Sequence, residues 1–108
     1  MLAEESGFGE GVGMSDTRAT YFVTGMVQGV GFRWWVKSKA LELGLVGFAR
    51  NLDDGRVEVC AQGESEAVET LGELLREWPS AHGRPGRVQH VVAHPGSVRD
   101  DLTGFRER

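Results

Sequence analysis

Two short stretches of this chain carry residue types that could do chemistry. The first is Gly25-Met26-Val27-Gln28-Gly29-Val30-Gly31-Phe32-Arg33. Gly25, Gly29 and Gly31 let the backbone take positive φ and come close to a ligand. Loop N–H groups can then converge on one point, and a following helix adds the partial positive charge of its N-terminus. Such a nest holds an anion, phosphate above all. Arg33 falls in the first helical turn, from where its planar fork can take two phosphate oxygens. The glycine order matches neither the dinucleotide fingerprint nor the P-loop, and the same spacing also suits a tight strand-to-helix turn with a surface arginine.

The second stretch is Gly47-Phe48-Ala49-Arg50-Asn51-Leu52-Asp53-Asp54-Gly55-Arg56-Val57. Asn51 ends a strand pattern just before a turn. Its amide can shape that turn. It can also orient a water, with the carbonyl oxygen accepting and the NH₂ donating elsewhere.

The elements that must position these residues follow from periodicity. Thr20 to Thr24 is β-branched and aromatic and predicts a first strand. Phe32, Val36, Ala40 and Leu43 share one helical face, which Gly44 closes in the C′ position. Val46 to Arg50 and Val57 to Gln62 predict a hairpin about the Asp54-Gly55 turn. Ser65 is the expected N-cap of a second helix with Val68, Leu71, Leu75 and Trp78 as its apolar stripe, ended by Pro79. Arg87 to Ala93 predicts a fourth strand, ended by His94-Pro95-Gly96, and Leu102 to Phe105 could add a short edge strand. Residues 1–18, rich in Gly, Glu and Ser, are expected to form a flexible tail, with Met14 an alternative start.

The order is β-α-β-β-α-β. Short connections and right-handed crossovers then favour an α+β, ferredoxin-like sandwich: a four-stranded antiparallel sheet with two helices on one face. That fold hosts many functions and decides no chemistry by itself.

Taken together, the two stretches resemble the two signature motifs of the acylphosphatase family. The first is similar to its phosphate-binding loop with the essential arginine at Arg33, and the second to its asparagine motif with the catalytic asparagine at Asn51. Gln28, Gly29, Val30, Gly31, Phe32, Gly47, Phe48, Gly55, Val57 and Gly63 fit those motifs, and the resemblance runs over residues 19–108, through Pro85-Gly86-Arg87-Val88 and Gly104-Phe105. It implies hydrolysis of the mixed anhydride between a carboxylic or carbamic acid and phosphate. It also implies a ferredoxin-like fold, no metal and no cofactor. On this basis the phosphate-binding set is Gln28, Gly29, Val30, Gly31, Phe32 and Arg33, with Arg33 and Asn51 catalytic. The partners are an acyl phosphate and the inorganic phosphate it releases.

The remaining features are plainer. The chain has 108 residues, 40% hydrophobic and 26% charged, which suits one domain with one core. A formal charge of −4 argues against a nucleic-acid binder, which would want a basic face and, for RNA on this fold, aromatic sheet motifs. The N-terminal domain of hydrogenase-maturation carbamoyltransferases is the other resemblance. A chain ending at Arg108 without zinc-finger cysteines favours the free-standing hydrolase. Cys60 is the only cysteine and reads as a buried thiol, excluding an intrachain disulfide. His90 and His94 bracket a strand, so their spacing is not that of a helical metal pair, and Asp53 and Asp54 read as solvated turn residues. An acidic N-terminus without a signal-peptide pattern leads us to expect a cytoplasmic protein, and nothing suggests more than a monomer.

Overall fold

The structure is a computed structural model and describes residues 16–108. The elements are β1 (Asp16–Met26), α1 (Phe32–Glu42), β2 (Val46–Asn51), β3 (Val57–Glu64), α2 (Ser65–Arg76), β4 (Arg87–Gly96) and β5 (Phe105–Glu107). β1 begins three residues before the expected boundary at Ala19, because Asp16, Thr17 and Arg18 pair with Glu64, Gly63 and Gln62. The rest of the expected tail lies outside the described residues.

The sheet order is β4-β1-β3-β2-β5. β1 pairs antiparallel with β3 and β4, and β2 antiparallel with β3. The ferredoxin-like arrangement is present, but the expectation of four antiparallel strands is corrected. A fifth strand, β5, joins the free edge of β2 in parallel, with Gly47 opposite Phe105 and Ala49 opposite Glu107. Parallel pairing needs a long return connection rather than a hairpin, so no turn signal in the sequence announces it.

Strand alternation divides the sheet into two faces. Tyr21, Val23, Ala49, Val57, Val59 and Ala61 share one core with Phe32, Trp35, Val36 and Ala40 of α1 and Val68, Leu71 and Leu75 of α2. Both helices therefore cover the same face. Tyr21 reaches through that core, its hydroxyl donating to the Val68 carbonyl at 2.8 Å. The other face carries Phe22, Phe48, Glu58, Cys60 and Gln62. The segment after β4 crosses it, and Gln62 exchanges hydrogen bonds with the Arg99 backbone at 2.8 Å each way.

The helix ends explain where the periodicity misled. α1 closes as expected. Gly44 takes φ 74°, its N–H donates to Leu41, and the Leu45 N–H donates to Ala40. For α2 the cap position is Glu64, not Ser65, because β3 runs straight into the helix and leaves no loop residue between them. Trp78 is not part of the stripe. The helix ends at Arg76, Glu77 turns to extended angles, and Trp78 is 69% exposed. Pro79 disfavours helical angles at Trp78, the residue before it, and the chain leaves the helix one residue sooner still, at Glu77. The last carbonyls of α2 are taken by the buried Arg84, which donates to Leu74 and Leu75 at 2.9 and 3.0 Å. β4 runs on through His94-Pro95-Gly96, since an edge strand tolerates proline.

Candidate functional site

The phosphate-loop candidate begins later than its first glycine. Gly25 still belongs to β1, at a register shift against β4, where an added Cβ would stand 2.1 Å from the Arg87 carbonyl oxygen. The loop proper is Val27 to Gly31. Val27 is buried and anchors it, while Gly29, Val30 and Gly31 are exposed. Gly29 and Gly31 hold φ of 75° and 86°, with nothing within 4 Å of where a Cβ would lie. Glycine is required there by backbone angle, not by crowding.

Gly31 is the N-cap of α1, and no side chain caps that end. The first helical N–H groups have no intrahelical partner. No acidic residue stands in the first turn to compete for them. Phe32 is buried and stacks on Trp35 with ring centres 6.1 Å apart, so only its backbone can face the loop. Trp35, also buried, donates from Nε1 to the His82 carbonyl at 2.9 Å and pins α1 to the loop that precedes β4. Trp34 points outward, 64% exposed.

Arg33 is half-buried. Its Nη1 donates to the backbone oxygen of Arg108 at 2.5 Å. The Arg108 N–H in turn donates to Ala49 at 2.8 Å. Ala49 lies two residues before Asn51 on β2, so the last residue of the chain links the arginine to the strand that carries the asparagine. The Arg108 guanidinium lies 4.0 Å above the Phe48 ring on the opposite face of the sheet.

Asn51 closes β2 opposite Val57. Its Oδ1 is enclosed and accepts no hydrogen bond from the protein, a costly state for a buried acceptor. The turn after it is tied across its mouth by Leu52 N–H donating to Arg56 at 2.8 Å. Gln28 reaches over from the glycine loop and donates from Nε2 to the carbonyls of Leu52 at 2.7 Å and Arg56 at 2.9 Å. The loop and the end of β2 are therefore joined directly.

The structure thus brings Gln28, Gly29, Val30, Gly31, Phe32, Arg33 and Asn51 into one neighbourhood. Sequence reasoning missed Arg108, because a backbone oxygen leaves no residue-type signal. It also missed the side-chain role of Gln28, whose partners are carbonyls. Asp54 is a turn residue: it accepts from the Arg56 N–H at 3.1 Å and from Arg56 Nε at 2.8 Å. The hydrogen bond from the Arg56 backbone, first among the causes, holds its carboxyl below the usual range. Cys60 is buried and free. His90 and His94 stand on β4 opposite Thr24 and Thr20. Among the described residues no three of His, Cys, Asp and Glu gather as a metal site would require, and no helix is long and apolar enough to cross a membrane.

The family model described as Acylphosphatase matches residues 19–107. An acylphosphatase from Thermobifida fusca is 55% identical over 95 residues, covering 88% of this chain and all of the relative. Among solved structures, an acylphosphatase from Coxiella burnetii superposes with a TM-score of 0.76 at 36% identity, covering 89% of this chain and 96% of the other. One from Bacillus subtilis does so with a TM-score of 0.74 at 27% identity, covering 85% and 98%.

Proposed function

Because the chain belongs to the acylphosphatase family, we propose that it hydrolyses the carboxyl–phosphate anhydride of acyl phosphates to a carboxylate and inorganic phosphate, with a water held by Asn51 and a phosphate held by loop N–H groups and Arg33. The N–H groups from Gln28 to Arg33 cradle the phosphoryl oxygens. Arg33, preorganised by its bond to Arg108, meets the charge of the transition state. Water attacks phosphorus, the bond from phosphorus to the acyl oxygen breaks, and the carboxylate departs with the bonding pair. One proton of the water passes to a phosphoryl oxygen, so that both its protons leave with the inorganic phosphate. A carboxylate is a weak base, so its departure needs no strong general acid. Phosphoryl transfer asks chiefly for position and electrostatics, and position alone can supply roughly 7–11 kcal/mol of the barrier. A site without a perturbed carboxylate is sufficient for this reaction.

One observation supports the assignment of Asn51 above the others. Its Oδ1 is enclosed and unpartnered, one residue before the turn that Gln28 ties to the glycine loop. Where the turn and the glycine loop part enough to admit a donor with the substrate, that acceptor takes it, and a water is the smallest donor. The test is hydrolysis of benzoyl phosphate with EDTA present. Turnover well above the uncatalysed rate is the expected result. A folded protein with no turnover on benzoyl, acetyl or carbamoyl phosphate would overturn the proposal.

A further inference from the structure

We infer that Gln28 is a positioning residue: its side-chain amide sets the spacing between the phosphate loop and Asn51 and does not itself touch the phosphate. The inference rests on the acyl phosphate reading above. The Nε2 group has two N–H donors. It donates to the Leu52 carbonyl at 2.7 Å and to the Arg56 carbonyl at 2.9 Å. Both donors are therefore spent on the turn, and only the backbone N–H of Gln28 is left for a ligand.

The two acceptors are the residues that face each other across the mouth of the turn, themselves joined by the Leu52 N–H to Arg56 bond of 2.8 Å. They follow immediately on the last rung of the hairpin, Asn51 opposite Val57. One hydrogen bond would leave a hinge, whereas two from a single planar amide fix rotation as well as distance. The position is half-buried, so water replaces these bonds poorly if they are removed.

The consequence is specific. In-line attack needs the reacting oxygen and phosphorus in a narrow range of separations, and a misplacement of about 1 Å can cost 10²-fold in rate. Phosphate is held on the loop side of this bridge and the water on the strand side. Cutting the bridge therefore lowers kcat while phosphate still finds its nest and Arg33.

The experiment uses Gln28→Met, which keeps the length without donors, and Gln28→Glu, which keeps the shape. Benzoyl phosphate turnover, the Kd of inorganic phosphate by calorimetry and the urea midpoint are measured for each. We expect kcat to fall about 10²-fold in both near neutral pH, with phosphate Kd within about threefold of wild type. When protonated, the carboxyl introduced by Gln28→Glu supplies one O–H donor. The Gln28→Glu rate, as a ratio to wild type, therefore rises as pH falls from about 6 towards the ordinary glutamate value of about 4.3, while the Gln28→Met ratio stays flat. Asp53, Asp54 and Arg56, the charged groups on the same turn, are shared by all three proteins, with Arg56 and Asp54 paired at 2.8 Å, so they are common to both sides of that ratio. If Gln28→Met does not fold, Gln28→Glu across the same pH range carries the comparison. Phosphate Kd weakening in step with kcat, kcat near wild type, or a flat ratio for Gln28→Glu would each overturn the inference. Amide exchange at Leu52 and Gly55 needs no turnover. Faster exchange in both variants of a protein whose wild type is inactive would keep the bridge and remove the reaction.

Discussion

Arg33 and Arg108 stand 75 residues apart in sequence, yet Nη1 of the first donates to the backbone oxygen of the second at 2.5 Å. The guanidinium is thereby held in one orientation without a ligand, and on the proposed reading less rotamer entropy would be lost on binding phosphate. Arg33→Ala is expected to lose both turnover and phosphate binding. Arg33→Lys should recover little, because a point charge replaces a two-pronged fork. Steady-state rates with phosphate as competitive inhibitor check both. A lysine variant near wild-type rate would mean that charge alone suffices.

On the proposed reading, Asn51 should separate turnover from phosphate binding, the two roles proposed together for Arg33. Asn51→Ala is expected to cost about 10²–10³ in kcat, the usual loss for one oriented polar group. The inhibition constant of inorganic phosphate should stay near wild type. A variant that turns over normally would remove the water-holding role from this residue.

Gly25 and Gly31 predict opposite failures. Gly31→Ala meets no atom within 4 Å but must hold φ near 86°. The cost is about 1–2 kcal/mol of backbone strain, and the mouth of the cradle shifts, so phosphate should bind more weakly in a protein that still folds. Gly25→Ala would drive a Cβ to 2.1 Å from the Arg87 oxygen. The β1–β4 pairing has to move, and the main loss should appear in the thermal midpoint.

Leu71, fully buried between α2 and the sheet, tests the frame apart from the chemistry. Leu71→Ala should lower stability by about 2–5 kcal/mol in urea unfolding. Turnover of the protein that remains folded should be unchanged, since Leu71 belongs to α2, which supplies neither the glycine loop nor Asn51.

Acid stability should depend on the turn. The Asp54 carboxyl titrates below its ordinary 3.8 in the folded protein, chiefly through the bond from the Arg56 backbone and then through the Arg56 side chain. A lowered folded pKa favours folding wherever the group is ionised. That contribution is fully present above the unfolded value and fades as pH falls through the folded one. Urea midpoints measured downward from about pH 5 should therefore drop less steeply for Asp54→Asn than for wild type. Added salt should narrow the difference, because the group is fully exposed.

What the sequence determined is local. The change from a β-branched run at Thr20–Thr24 to a four-residue apolar spacing at Phe32, Val36 and Ala40 locates the strand, the glycine loop and the helix. The Asp54-Gly55 pair places the hairpin, and with it Asn51 at a strand end. These signals survive because periodicity and turn angles are properties of neighbouring residues. What the tertiary structure decided is non-local. Ser65 lost the cap to Glu64 because β3 runs without a break into α2. β5 found the free edge of β2 in parallel register, where no hairpin links them. Arg33 is aimed by Arg108, and Gln28 is spent on two carbonyls of a distant turn. Backbone oxygens accept hydrogen bonds whatever side chain they bear. Contacts of that kind leave no mark in residue type or spacing and are set only when the chain closes on itself.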